Sequence, residues 1–369
     1  MRLLTKLLWI DTKKQQVCVQ SGIRIATLLQ ALARKHLTLP NQPAIASQTI
    51  GGAIATATHG TGKTGTMAEF VESIDIILPD GSHKTVSQTS DPDLFQTALV
   101  SFGTIGIMYA VTLTCIPLKT LKYELRTMDI QTCLATYTDY RDYDHMGFFL
   151  HPYTNKAFID TFQRQATYEP LSRMMRMRNW FAHSGSYITE YLTYLMPTLA
   201  PFFITRCIAL QNDYTQYTPQ NRALSAPIGF TFLEEEIAID ASNLNDALQD
   251  VLQLINRYPQ KEYTIIGIRV RFAEPDTKAL LSPAYQRKTA YISMITPVQN
   301  RYKDMLAALY NTLKPYHGRP HWAKIHNATY ADIQKLYEKE LPIYEQIHKR
   351  INPCNTFTNT FYSTIFTKN

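Results

Sequence analysis

Gly51-Gly52-Ala53-Ile54-Ala55-Thr56-Ala57-Thr58-His59-Gly60-Thr61-Gly62 is the stretch from which the rest of this 369-residue chain is best read. Glycine adopts left-handed and strained backbone angles that a Cβ forbids. Consecutive exposed amides in such a run form a nest for an anionic or flat polar ligand. Composition alone leaves a tight turn between strands equally open. A second run, His321-Trp322-Ala323-Lys324, tips the reading towards a ligand site.

Around that stretch the chain is long enough for two domains. A hydrophobic share of 45% with 18% charged residues describes a globular protein rather than a disordered one. The net charge of +7 favours anionic ligands weakly, and no lysine or arginine run points to nucleic acid. Arg173, Arg176 and Arg178, interleaved with methionines, read as an exposed turn or helix edge. Cys18, Cys115, Cys133, Cys207 and Cys354 form no CxxC pair, so neither a disulfide framework nor a metal site is expected. A reducing, cytoplasmic setting fits. Tyr191 to Leu210 is apolar, but Pro197, Pro201 and Arg206 make it poor material for a spanning helix. It is expected to form a buried or surface-lying helical hairpin, with peripheral membrane contact as the alternative.

Alternation predicts strands at Leu7 to Ile10 and Val17 to Val19, and Ile25, Leu28, Leu29 and Leu32 predict a helix to Lys35. Ile74, Ile76 and Leu78 run into a hairpin turn at Asp80-Gly81. Asp91-Pro92 reads as a cap followed by proline at the first helical position. Gly103 and Gly106 allow a close turn before a strand at Tyr109 to Cys115. No GxGxxG spacing supports a Rossmann domain. Further on, strands are expected at Met146 to Leu150, Thr231 to Ile239, Ile265 to Phe272 and Tyr291 to Thr296. Helices are expected at Leu244 to Ile255 and Tyr302 to Leu313. The pattern is an α+β sheet with helices on one face. Thr329 to Ile351 reads as a helical stretch interrupted at Pro342.

His59 lies where little neighbouring bulk can pack against it, which marks it as a ligand contact or a buried, hydrogen-bonded core residue. Arg269 and Arg271 share one strand face, as an anion site or, on spacing alone, a solvated edge. Glu234 and Glu236 also share a face, with Glu235 opposite; they are acid–base candidates or, as the favoured reading, salt-bridge partners for the arginine strand. Lys324, near Trp322 and two histidines, is suited to stabilise negative charge on an electron-poor ring or a substrate oxygen.

Together Gly51 to Gly62, Asp91-Pro92-Asp93-Leu94-Phe95-Gln96, Ser101-Phe102-Gly103-Thr104-Ile105-Gly106, Leu281-Ser282-Pro283 and Gly318-Arg319-Pro320-His321-Trp322-Ala323-Lys324 resemble the sugar-1,4-lactone oxidases. That group includes L-gulonolactone and D-arabinono-1,4-lactone oxidases, within the vanillyl-alcohol-oxidase type of FAD proteins. The resemblance covers nearly the whole chain, including Phe357 to Tyr362. It implies an α+β, two-domain FAD-linked oxidase fold of the PCMH type. The implied parts are an FAD-binding domain at 1–118, a substrate cap at 119–320 and a C-terminal segment at 321–369 that returns to the flavin site. It implies that Gln48, Thr49, Gly51, Gly52, Thr58, His59, Gly60, Thr61 and Gly62, with the turn at Gly103, Gly106 and Ile107, cradle FAD. Lys324 would lie near the flavin, with His321 and Trp322 shaping the pocket. The implied reaction oxidises a CH–OH group of a sugar lactone or alditol, with oxygen or another acceptor; a quinone- or cytochrome-linked dehydrogenase is the alternative.

Two departures stand out. The glycine-rich loop that normally opens the family's FAD domain has no counterpart, so an N-terminally incomplete or catalytically impaired relative is an open expectation and no covalent flavin anchor is assigned. The cap strand reads Arg269-Val270-Arg271 where the family has Glu-x-Arg. Arginine is no general base at neutral pH, so Arg269 suggests either a more acidic substrate or lost activity, while Arg271 keeps the grip on substrate or flavin oxygens.

Overall fold

The computed structural model describes residues 3–165, 173, 174, 177, 196, 199–225, 232–258, 266–297 and 302–366. Arg176, Arg178 and most of the first half of the apolar stretch at 191–210 lie outside them. Among the described residues no helix is long and apolar enough to cross a membrane. Helix Ala200–Leu210 leaves Phe202 and Leu210 exposed.

Two antiparallel sheets carry the fold. The first orders β1 (Leu7–Asp11), β2 (Gln16–Gln20), β4 (Val71–Ile77), β5 (His83–Ser87) and β6 (Ile107–Thr114) as β1-β2-β6-β4-β5. The short β3 (Leu37–Thr38) and β7 (Ile116–Pro117) pair beside it. The expected helix forms at Ile25–Ala33, burying Ile25, Leu28, Leu29 and Leu32. Asp91 caps helix Pro92–Leu99 by accepting from the Leu94 amide at 3.2 Å.

The second sheet has eight strands: β8 (Thr120–Asp129), β9 (His145–His151), β10 (Lys156–Gln165), β11 (Tyr214–Pro219), β12 (Phe232–Asp240), β13 (Gly267–Ala273), β14 (Thr289–Pro297) and β15 (Arg319–Pro320). Their order is β11-β8-β10-β9-β13-β14-β12-β15. The apolar stripes of helices Leu244–Asn256 and Tyr302–Leu313 meet on one side of it, where alternate residues of β12 (Glu235, Ile237, Ile239) are fully buried. The opposite face turns towards the first layer.

Loops stitch the layers together. The Gly62 amide donates to the Phe272 carbonyl at 2.9 Å, and Gln42 Nε2 donates to the Gln220 carbonyl at 3.0 Å. Buried Asp276 accepts from the amide (2.8 Å) and hydroxyl (2.6 Å) of Thr66 and from the Ser282 hydroxyl. The C-terminal helices come back to the first layer: Asn352 Nδ2 donates to the Thr104 carbonyl at 3.0 Å.

Two expectations change. The tail is broken at 337–339, between helices Tyr330–Leu336 and Glu340–Ile351. Pro342 sits in the first turn of the second helix, where its missing N–H costs nothing. The front half of the glycine run is helix Ile50–Ala55, because Ile50, Ala53 and Ile54 form a small buried stripe and Thr49 caps it.

Candidate active site

A cavity of about 790 Å³ lies between the loops of the first layer and one face of the eight-stranded sheet. Strand register builds that face. Asp160, Gly147, Arg271, Tyr291 and Ala238 form one cross-strand row through β10, β9, β13, β14 and β12. Phe158, Phe149, Arg269, Ser293 and Glu236 form the next. Cross-strand partners point to the same side of a sheet, so acids and arginines distant in sequence meet there.

Glu236, fully buried, accepts from Arg271 Nη2 at 2.5 Å and from the Ser293 hydroxyl at 2.7 Å. Glu234 accepts from Lys324 Nζ and lies 3.9 Å from Arg271. The expected salt bridging between the two strands is therefore present. Burial pushes the Glu236 carboxyl up, but the Arg271 guanidinium and the His59 imidazole outweigh it and hold it well below the usual carboxylate range. Arg269 forms a bidentate pair with Asp160, so it is no solvated edge.

Opposite this face runs the second half of the glycine stretch. His59 stacks on Tyr291 with ring centroids 3.5 Å apart, and its Nδ1–H donates to the Gly60 carbonyl at 2.7 Å. Its Nε2 faces Glu236 Oε2 at 3.4 Å, and neither atom has a hydrogen-bond partner among the described residues. Burial lowers the His59 pKa, and Glu236 works against that shift. With His321 these two form a cluster whose ligand-capable atoms lie within 4.8 Å of one another. The guanidinium already on Glu236 makes it a charge network rather than a cation cage.

The glycines have packing duties. A Cβ on Gly60 would stand 2.2 Å from Asn41 Oδ1, and Gly62, at φ +116°, would drive one to 2.4 Å from the Asp144 carbonyl. The Gly60 and Thr61 carbonyls are taken up by His59, His145 and Asn41. The amides of His59, Gly60 and Thr61 donate to no other group among the described residues. These three N–H groups belong to residues of the cavity wall and are open to a ligand acceptor.

Gln48, Thr58, His59, Gly60, Thr61, His321, Lys324, Arg269 and Arg271 all line the cavity. Thr49, Gly51, Gly52, Gly62, Gly103, Gly106 and Ile107 do not. The Gly51 amide donates to the Ser21 carbonyl, and the Gly52 amide to the Thr49 hydroxyl, so both amides are taken up at the start of helix Ile50–Ala55. Trp322 also turns away: its Nε1–H donates to the Leu281 carbonyl at 2.6 Å and its ring packs on Phe102 and Tyr337. Sequence reasoning missed Asn41, Tyr123, Asp160 and Gln216, which also line the cavity. None stands in a motif; they arrive by tertiary folding.

Residues 111–365 match the D-arabinono-1,4-lactone oxidase family, and residues 1–87 match an FAD-binding domain. The chain is similar to L-gulonolactone oxidase of Mus musculus, 28% identical across 98% of this chain and 84% of that protein. It is similar to L-gulono-1,4-lactone dehydrogenase of Mycobacterium tuberculosis, 29% identical across 97% and 83%. Its fold resembles cholesterol oxidase of Brevibacterium sterolicum, with a TM-score of 0.73 at 13% identity over 99% of this chain and 84% of that one.

Proposed function

The chain belongs to the D-arabinono-1,4-lactone oxidase family and is an FAD enzyme, and from that premise we propose that it oxidises a CH–OH group of a sugar 1,4-lactone of the arabinono or gulono type. The supporting observation is that residues with free amides (His59, Gly60 and Thr61) and the charged Lys324, Glu234 and Arg271 line one cavity. The residues fit the cofactor's needs: the amides suit an anionic or carbonyl oxygen, and Lys324 supplies a fixed ammonium. Bound there, FAD would supply the two-electron redox chemistry, as acceptor of the substrate's hydride and donor to the final acceptor.

The protein's share is orientation and charge. Lys324 and Arg271 present cationic N–H groups to oxygens of flavin and substrate. Glu234, lining the cavity beside Lys324, receives the proton of the substrate hydroxyl, a task the arginine at 269 cannot perform. Glu236 beneath them fixes Arg271 and stands against His59 without reaching the cavity. The domain division at 1–118, 119–320 and 321–369 follows the same reading, with Lys324 supplied by the last segment.

Oxygen is the proposed acceptor; the mycobacterial relative named a dehydrogenase supports a second reading with another acceptor. Purified protein supplied with FAD is expected to show bound-flavin absorbance that bleaches anaerobically with L-gulono- or D-arabinono-1,4-lactone and to release peroxide in air. Bleaching without peroxide favours the dehydrogenase. Bound flavin that no lactone or alditol reduces overturns the substrate assignment.

A further inference from the structure

Arg269 reaches across a strand. It stands opposite Phe149 of β9, yet its guanidinium binds Asp160 on β10, one strand further and one row along. The two bonds are parallel: Nη1 to Oδ1 at 2.5 Å and Nη2 to Oδ2 at 2.7 Å. The position between is Gly147, paired with Asp160 on one side and Arg271 on the other. A Cβ there would sit 3.0 Å from Arg269 Nη2 and 2.8 Å from the Val270 carbonyl. Glycine leaves the path of the guanidinium open.

Both partners line the cavity, and Asp160 is almost fully buried. Their charges cancel. So do the others nearby: Glu234 takes Lys324, and Glu236 takes Arg271. Arg222, also in the lining, is exposed to solvent. Each buried cation of this wall is thus already matched by a carboxylate, and none carries a surplus charge for a ligand anion. A bidentate pair still has capacity at its edges. The guanidinium keeps unused N–H groups and the carboxylate keeps unused lone pairs, one donor set beside one acceptor set. Such an edge matches a sugar hydroxyl, which donates and accepts. An anionic ligand would meet Asp160 at close range and be repelled.

Resting on the lactone-oxidising reading above, we propose that the Arg269–Asp160 pair is the specificity element of this cavity: it binds hydroxyls of an uncharged sugar ring and excludes the corresponding sugar acid. The arginine that, read alone, suggests an acidic substrate therefore works in the opposite sense. Asp160 supplies from β10 the carboxylate that strand β13 lacks.

The test uses the FAD-loaded protein at constant pH and reads ligand binding from the perturbation of flavin absorbance, separately from turnover. The probes are L-gulono-1,4-lactone and its ring-opened anion, L-gulonate. Wild type is expected to bind the lactone at least tenfold more tightly than gulonate. Asp160→Asn frees the guanidinium, and the lactone-to-gulonate preference should fall tenfold or more, chiefly through tighter gulonate binding. Arg269→Gln leaves Asp160 uncompensated, so gulonate binding should weaken further; it reads the same ratio if Asp160→Asn does not fold. A ratio unchanged within twofold in the variants overturns the proposal. So does wild-type binding of gulonate within threefold of the lactone, or of neither probe, whatever the variants do. A ratio that moves as expected while no lactone reduces the flavin sinks the catalytic reading and leaves the specificity element standing. Reduction by lactone with an immobile ratio does the reverse.

Discussion

Lys324 illustrates how a single residue gains meaning from its partner. Its ammonium is not loose in the cavity; Glu234 holds it, and the same carboxylate lies 3.9 Å from Arg271. Lys324→Met removes the ammonium without removing much bulk and leaves Glu234 leaning on Arg271. FAD uptake is expected to persist while kcat falls about 100-fold, the order seen when one preorganised charge or donor is deleted from an active site. Stopped-flow flavin reduction with saturating lactone measures it, and an unchanged reduction rate would remove Lys324 from the chemistry. Arg271 is a different case. It is buried with Glu236, so its loss strands a carboxylate inside the protein and acts first on stability.

At the scale of the element, β12 is the most informative strand. Its alternation turns Glu234 and Glu236 to the cavity side of the sheet, Glu234 into the lining and Glu236 buried beneath it, and sends Glu235 to the other side, where helix Tyr302–Leu313 brings Tyr310. Glu235 is fully buried and neither carboxyl oxygen has a hydrogen-bond partner among the described residues. Burial pushes its pKa from 4.5 up to about 9, so it is protonated in the native protein at neutral pH. The sign follows from proton counting. Between those two values the native state holds a proton that the unfolded chain has released, so stability is full below pH 4.5 and declines as pH rises towards 9. The slope from one proton is about 1.4 kcal/mol per pH unit. Glu235→Gln should abolish that contribution and make the variant the more stable of the two at pH 8, with the advantage shrinking towards pH 5. Urea midpoints at the two pH values check it; parallel shifts for both proteins would refute it. The same strand shows what periodicity can and cannot reveal. Alternation at 231–239 and 265–272 located β12 and β13 and put each pair of charges on one face. β8 and β10 escaped notice because Lys122, Glu124 and Arg126 interrupt one and Asp160 and Arg164 the other. Those polar residues face the cavity or solvent, and nothing local distinguishes that from a loop.

For the whole molecule, the motifs of the first layer and of the segment at 321–324 announced a shared site, and the structure brings both to one cavity. What stayed illegible was the company they keep. Asp160 meets Arg269 only because β9 lies between β10 and β13, a fact of topology rather than of spacing. Asp276 is another such case, a buried carboxylate tying Thr66 of the first layer to Ser282 of the second. Burial raises its pKa to about 6. Asp276→Ala would leave a buried amide and two hydroxyls without an acceptor, at a cost of about 2–4 kcal/mol. Asp276→Asn keeps an acceptor in place and should lose less than half as much. Chemical denaturation of the three proteins gives the order, and an alanine variant as stable as wild type would show that the two layers do not depend on this tie.

The wall carrying Lys324 is the last of the cavity's walls to be synthesised, after the glycine run, β8, β10 and β13 have all emerged. A nascent chain therefore presents the amides of His59 to Thr61 and the charged sheet face with one side missing. That side is filled only once translation has passed residue 324. Any ligand that needs all of these walls is therefore held only after residue 324 has been made.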